Sequence, residues 1–309
     1  MKITIIGAGN VGATSAEILF KKNVVKEIIL LDVKKNLAEG KAIDISQTAT
    51  INGSSSKIIG VTNDYYQTAN SKVIVITSGI TRKYNMSRDD LININANIVK
   101  SVIKKSIEYS PDTIFIVVSN PLDVMTYVAF ISSKINASRV FGMAGILDKA
   151  RYCTFLATEL NCYPQDIQTL LLGSHGDTMV PLPRYTTVSG IPIIELIDKS
   201  KIDSIIERTK KGGIEIVNML GTSAWYAPGA AVAQMVESII KDSKRIFPCS
   251  AWLQGEYGLK NIYLGVPVIL GKNGIEKILE LKLNNEEMNL LKKSAEHITN
   301  MIKVIDKSE

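Results

Sequence analysis

Lys2-Ile-Thr-Ile-Ile6, then Gly7-Ala-Gly9-Asn-Val-Gly12, then a helix-length stretch to about Phe20, then Glu27-Ile-Ile-Leu-Leu-Asp32 decide the fold. The order is strand, glycine turn, helix, strand, acid, which is a complete βαβ unit. Its first glycine allows a tight turn and its second lets backbone approach a pyrophosphate. The third lets the helix pack closely on the strand, and the helix N-terminus offers unpaired N–H groups to phosphates. Gly7, Ala8, Gly9, Asn10, Val11 and Gly12 are therefore candidate cofactor contacts, and Asp32 a candidate acceptor for ribose hydroxyls. A carboxylate there repels a 2′-phosphate, so NAD is favoured over NADP, with Lys34 and Lys35 pulling weakly the other way. A glycine turn that holds no ligand is the alternative.

Outward from this unit the alternation continues. Lys57-Ile-Ile-Gly-Val61, Val73-Ile-Val-Ile-Thr77 and Thr113-Ile-Phe-Ile-Val-Val-Ser-Asn120 are apolar runs rich in β-branched residues, separated by helix-length stretches. That is the pattern of an α/β chain with a doubly wound parallel sheet, whose ligands sit beyond the C-terminal strand ends. Asn120, before Pro121, is at one such end. So is the loop Thr81-Arg82-Lys-Tyr-Asn85-Met-Ser-Arg88, which follows Gly79 and presents two arginines six positions apart. The planar guanidinium fork suits carboxylate recognition. Two solvated loop arginines, a turn asparagine at 120 and a polar helix-face Asn95 are the plainer readings.

The 309 residues suffice for two cored domains, and 46% apolar with 21% charged residues is the composition of a globular protein. The net charge of +6 is spread in ones and twos, as at Lys21-Lys22 and Lys210-Lys211, with acids between. A phosphate-tracking surface concentrates its charge, so no nucleic-acid partner is expected. Cys153, Cys162 and Cys249 are odd in number and lack metal-ligand spacing, which favours a reducing compartment and no metal; a Cys153–Cys162 disulfide stays open. No signal-peptide layout and no membrane-length apolar run is present, so a cytoplasmic location is expected.

After about residue 146 the alternation fades. A helix begins near Asp148, and Ile167-Gln-Thr-Leu-Leu-Leu172 leads into Gly173-Ser-His175-Gly176-Asp177. Helices are expected over 200–220 and 229–241, a hairpin around Gly271-Lys-Asn-Gly274, and an amphipathic C-terminal helix through Met288, Leu291, Ala295, Ile298, Ile302 and Ile305. Of the two histidines, His297 reads as a surface residue beside Glu296. His175 lies between glycines after an apolar strand, where small neighbours leave an imidazole accessible for proton exchange near neutral pH. A core or turn histidine is the bland alternative. Asp148, with Arg151 one helical turn on, is a candidate partner for it, against a local ion pair worth only tenths of a kcal/mol.

Taken with Arg82-Lys-Tyr-Asn-Met-Ser-Arg88, Ser119-Asn-Pro-Leu-Asp123 and Leu147-Asp-Lys-Ala-Arg151, the glycine turn and the His175 motif resemble the lactate/malate dehydrogenase family. The resemblance runs through the whole chain in order and is strongest to its bacterial lactate-dehydrogenase-like malate-oxidising branch. It implies a Rossmann-type NAD-binding domain over 1–145 and an α+β catalytic and substrate domain over 146–309. His175 would be the acid/base, Asp148 its partner, Arg151 the grip on the C1 carboxylate, and Arg88, arriving as the loop closes, the polariser of the reacting carbonyl. Gly7 to Gly12, Asp32, Asn95, Val118, Ser119 and Asn120 would hold NAD, Asn120 touching substrate as well. Ser223 and Ala224 in Gly221-Thr-Ser-Ala-Trp-Tyr-Ala-Pro228 would line the pocket. Arg82 stands where lactate-specific members carry glutamine and malate-specific ones arginine, which implies malate and oxaloacetate as substrates. The loop departs from the family's usual Pro-Gly at Tyr84-Asn85. A homotetramer or homodimer in the citric acid cycle is implied too. A lactate or broader 2-hydroxy-acid dehydrogenase and a non-catalytic nucleotide-binding protein are the rivals. The first leaves Arg82 unpaired, and the second leaves the joint presence of His175, Asp148, Arg151 and Arg88 unexplained.

Overall fold

The structure, a computed structural model, describes residues 1–81, 86–143 and 145–306. Its first half is built from strands β1 (Lys2–Ile6), β2 (Glu27–Asp32), β3 (Lys57–Thr62), β4 (Val73–Ile76), β5 (Ile114–Val117) and β6 (Val140–Gly142). Between them run helices α1 (Asn10–Lys21), α2 (Leu37–Gln47), α3 (Ala49–Asn52), α4 (Arg88–Tyr109) and α5 (Leu122–Ser133). The strands lie parallel in the order β3-β2-β1-β4-β5-β6. Helices cover both faces, so strands such as β4 (VIVI) and β5 (IFIV) are buried at every position. That is why they read as unbroken apolar runs rather than alternations.

The second half contains α6 (Gly145–Leu160), the short strands β7 (Ile167–Gln168), β8 (Leu171–Leu172), β9 (Val180–Pro181), β10 (Thr187–Val188) and β11 (Ile191–Pro192), and helices α7 (Lys199–Leu220) and α8 (Tyr226–Ile240). The long antiparallel strands β12 (Arg245–Gln254), β13 (Lys260–Gly271) and β14 (Gly274–Ile278) follow, then α9 (Asn285–Asp306). The hairpin at 271–274 and the terminal helix stand where the sequence puts them, with Leu291, Ala295, Ile298, Met301 and Ile305 buried.

The sheet does not stop at β6. Ser250 of β12 pairs with Gly142 of β6, so β12, β13 and β14 extend it to nine strands. A side chain at 142 would meet Thr126 Oγ1 at 2.6 Å and Ser250 Cβ at 2.9 Å, so a glycine is needed for the two halves to touch. β6 and β12 are absent from the sequence reading: β6 has three residues, and β12 opens with the exposed Arg245 and Ile246 and carries Pro248. Among the described residues no helix is long and apolar enough to cross a membrane.

Candidate active site

The turn after β1 is held by close packing. Gly7 has φ +109°, and a Cβ there would meet Thr77 Oγ1 at 2.6 Å; a Cβ on Gly12 would lie 1.9 Å from the Gly7 carbonyl oxygen. Beside Gly9 there is only open space, as required where ligand rather than protein must approach the backbone. Gly9 is the N-cap of α1 and its first turn carries no side-chain cap, so its leading N–H groups face outward. Thr77, which the sequence does not single out, donates Oγ1–H to the Gly7 carbonyl at 2.9 Å and ties β4 to the turn. Asp32 ends β2; its Oδ2 accepts the Ala8 N–H at 2.7 Å and its Oδ1 the Lys34 N–H at 2.8 Å. These residues fit a dinucleotide: an open glycine, a bare helix N-terminus and a carboxylate at the ribose end.

From Val11 a cleft of about 520 Å³ runs along the strand ends to His175. Val118, Ser119 and Asn120 line it, as do Asn95, Arg151, Ser223 and Ala224. Ser119 Oγ–H donates to the Ser78 carbonyl at 2.5 Å, bracing the loops after β4 and β5 against each other. Asn95 is 1% exposed. Its Oδ1 accepts the Ile80 N–H at 2.8 Å and its Nδ2 donates to the carbonyls of Ile80 (3.1 Å) and Asn120 (2.8 Å). Its amide is thus spent on loop backbone, and Asn95 shapes the cleft more than it offers a free polar group to it.

The chemistry gathers on one carboxylate. Asp148, in the first turn of α6 and 1% exposed, accepts from His175 Nδ1 at 2.8 Å through Oδ2 and from Arg151 Nη1 at 3.3 Å through Oδ1. The pairing that sequence spacing makes a mere local ion pair therefore has a third member 27 residues away. The Asp148 charge raises the His175 proton affinity above its ordinary 6.5, with burial opposing. His175 is held by its loop. Gly173 (φ +83°) exchanges N–H···O bonds of 2.9 and 3.1 Å with Gly265 of β13, and Ser174 N–H donates to Ser294 Oγ of α9 at 2.8 Å. A Cβ on Gly265 would sit 2.2 Å from the Gly173 oxygen.

Arg151 lies flat on α7, where the sequence reading missed a signal. Gly212 and Gly213 stand mid-helix, costing roughly 1 kcal/mol each relative to alanine. A Cβ on Gly212 would meet Arg151 Cδ at 3.2 Å, and one on Gly213 would lie 3.8–3.9 Å from its terminal nitrogens. Arg151 Nε is buried with no partner, an unsatisfied donor beside the cleft that Arg151 lines.

Arg88 and His297 meet each other away from the cleft. Arg88 does not line the cleft; its Nη2 donates to His297 Nε2 (3.0 Å) and contacts Met301 Sδ (2.9 Å) on α9. A capping box, Ser87 Oγ accepting from Asp90 N–H and Asp90 Oδ2 from Ser87 N–H, starts α4 there. Nor is His297 a plain surface residue: it is half-buried, and desolvation first and Arg88 second lower its proton affinity. Arg82, with Tyr84 and Asn85, lies outside the described residues. The three cysteines are free, and no group of metal-ligating side chains occurs among the described residues.

Comparison with known proteins places this geometry. The family model for the NAD binding domain of lactate/malate dehydrogenases matches residues 1–142, and that for their alpha/beta C-terminal domain matches 146–309. A malate dehydrogenase of Cytophaga hutchinsonii is 60% identical over 306 residues, 99% of this chain and 98% of the relative. The solved malate dehydrogenase from Salinibacter ruber superposes with a TM-score of 0.96 at 50% identity, covering 99% and 98% of the two chains. A lactate dehydrogenase from Cryptosporidium parvum, complexed with lactic acid and NAD, superposes nearly as well: TM-score 0.95, 38% identity, 99% and 98% covered. With both family models together spanning almost every residue, the chain belongs to the lactate/malate dehydrogenase family, and its first half is that family's NAD-binding domain.

Proposed function

We propose that the chain catalyses the NAD-dependent, reversible oxidation of (S)-malate to oxaloacetate. The observation that carries this reading is the shared carboxylate: Asp148 holds the acid/base His175 through one oxygen and the carboxylate-binding Arg151 through the other. With Nδ1 committed to Asp148, Nε2 is the ring nitrogen left to take the proton from the malate hydroxyl and return it to the oxaloacetate carbonyl. Arg151 grips the C1 carboxylate with its planar fork. NAD, held by the Gly7–Gly12 turn at its pyrophosphate and by Asp32 at a ribose, would supply the hydride acceptor. Arg88 polarises the carbonyl, work that requires it to leave His297 and Met301.

The fold is shared with a lactate dehydrogenase, so substrate choice rests on the loop. A second carboxylate entering a water-poor site needs an opposite charge, which Arg82 supplies. A methyl group would leave that arginine buried and unpaired. The test is kcat/KM for oxaloacetate and for pyruvate, each with NADH and NADPH. A preference of several hundredfold for oxaloacetate and NADH is expected, and a pyruvate preference would overturn the reading. Arg82→Gln is expected to cost oxaloacetate several kcal/mol of transition-state binding and to raise relative pyruvate activity; an unchanged ratio would remove Arg82 from the pocket.

We further infer a cytoplasmic homo-oligomer, dimer or tetramer, acting in the citric acid cycle. An apolar groove of about 700 Å³ between α1, α2 and α8, with Ile18, Ile45, Ala227 and Ala230 in its lining and Tyr226 exposed at its rim, is the surface for a second copy. Sedimentation is expected to give an oligomer for the wild type and a smaller species for Ala230→Arg. A wild-type monomer would sink this assignment.

A further inference from the structure

Behind His175 stands a second carboxylate that the reaction so far leaves without work. Asp123, in the first turn of α5, is 2% exposed. Its Oδ2 accepts the His175 main-chain N–H at 3.2 Å, and its Oδ1 accepts Ser250 Oγ–H at 2.6 Å. The three partners come from α5 in the first half of the chain, from β12, and from the loop after β8. Ser250 is also the residue through which β12 joins β6. The carboxylate therefore sits at the seam of the nine-stranded sheet and fixes the histidine loop to it.

A buried carboxylate is a costly way to make that connection. Two neutral acceptors would serve a purely architectural joint without desolvating a charge. What a carboxylate adds is negative charge beside an imidazole. The charged groups bearing on His175 are Asp148 and Arg151 from α6 and Asp123 from α5: Asp148 and Asp123 support the imidazolium and Arg151 opposes it. Burial pushes the Asp123 carboxyl up to about 6, while Ser250 and then His175 favour its ionised form. On the far side, Asp177 bears on His297.

We propose that Asp123 is a positioning residue for the proton transfer, anchoring the His175 main chain and adding a second buried negative charge that holds the imidazole in its protonated form. The proposal rests on the reading of His175 as acid/base. Division of labour follows from the contacts: Asp148 orients the ring and Asp123 sets the backbone from which the ring projects. Because Asp123 neutralises near pH 6, its support is present above that pH and fades below it.

The test is an NMR titration of the two histidines in the full chain, with His297→Asn used only to assign the signals. Asp123→Asn keeps the size of the side chain but removes the charge and one acceptor atom. Its His175 midpoint is expected to fall by about half a pH unit or more, roughly a threefold change in the ratio of charged to neutral imidazole. The pH at which oxaloacetate reduction declines moves down with it, and NADH binding stays within about twofold of wild type. Ser250→Ala, which leaves Asp123 more readily protonated, is expected to move the midpoint the same way by less. A merely structural role would lower turnover with the midpoint in place. A His175 midpoint within about 0.2 units of wild type in folded Asp123→Asn overturns the proposal; if that variant does not fold, the same result in Ser250→Ala does so. The titration uses no substrate, so a wild-type protein inactive on oxaloacetate would strike the proposed activity without touching this measurement.

Discussion

Replacing His175 with Asn is expected to lower turnover in both directions by at least about a hundredfold while NADH binding stays nearly intact. Asparagine keeps a polar group in reach of Asp148 but cannot take up or release a proton near neutrality. On the proposed reading NADH is held mainly elsewhere, by the glycine turn and Asp32, in the half of the chain that the NAD-binding model matches. The pH dependence of the wild type follows from the same pair. Malate oxidation needs the neutral imidazole, so its rate rises with pH through a midpoint above 6.5. Oxaloacetate reduction needs the charged form and declines through that midpoint. The folded-state shift is upward, so the stability this pair contributes is complete below about 6.5 and is lost as pH rises through the folded midpoint. Stopped-flow NADH binding and steady-state turnover across pH check the catalytic part, and denaturant unfolding across pH checks the stability. Wild-type-like turnover in the variant would assign the proton to another group.

Much of the site was legible because its parts are local. The Gly7–Gly12 turn, its flanking strands and Asp32 lie within one βαβ unit, where backbone geometry demands particular residues at particular offsets. Parallel strands buried on both faces announce themselves as β-branched runs. What stayed hidden depends on long-range contact. Spacing gives Asp148 and Arg151 as neighbours on a helix. It offers Asp148 to His175 only as a candidate, since nothing local brings the two together across 27 residues. Nor does anything local tie Gly212 and Gly213 to Arg151. Asp123 looks like an ordinary first-turn acid, which helix N-termini favour anyway. Arg88 shows the opposite case. Its motif points to the substrate, yet its contacts are with His297 and Met301, 209 and 213 residues on. The role proposed for it requires it to leave those contacts. β6 and β12 were missed because three residues show no period and β12 begins exposed.

Arg151→Gln is expected to reduce kcat/KM for oxaloacetate by about a thousandfold, mostly through KM, since removing one member of a buried charge pair costs about 2–5 kcal/mol. The Arg151 side chain is only 13% exposed, its guanidinium is already bonded to Asp148 on one side, and its Nε is buried without a partner. A substrate carboxylate completes that donor set with two parallel bonds, and glutamine is too short and too poor in donors to do so. Arg151→Lys restores the charge but not the fork, so only part of the loss is expected to return. Removing the cation also has a signed effect on the neighbouring proton. Arg151 opposes the imidazolium of His175, so its loss moves the His175 midpoint upward and carries the decline of oxaloacetate reduction to higher pH. A variant in which Arg151 had served only as a helix ion pair would lose little activity and show no displaced pH profile. Measured KM within about threefold of wild type would therefore move the substrate carboxylate away from Arg151, and with it the orientation of substrate against His175.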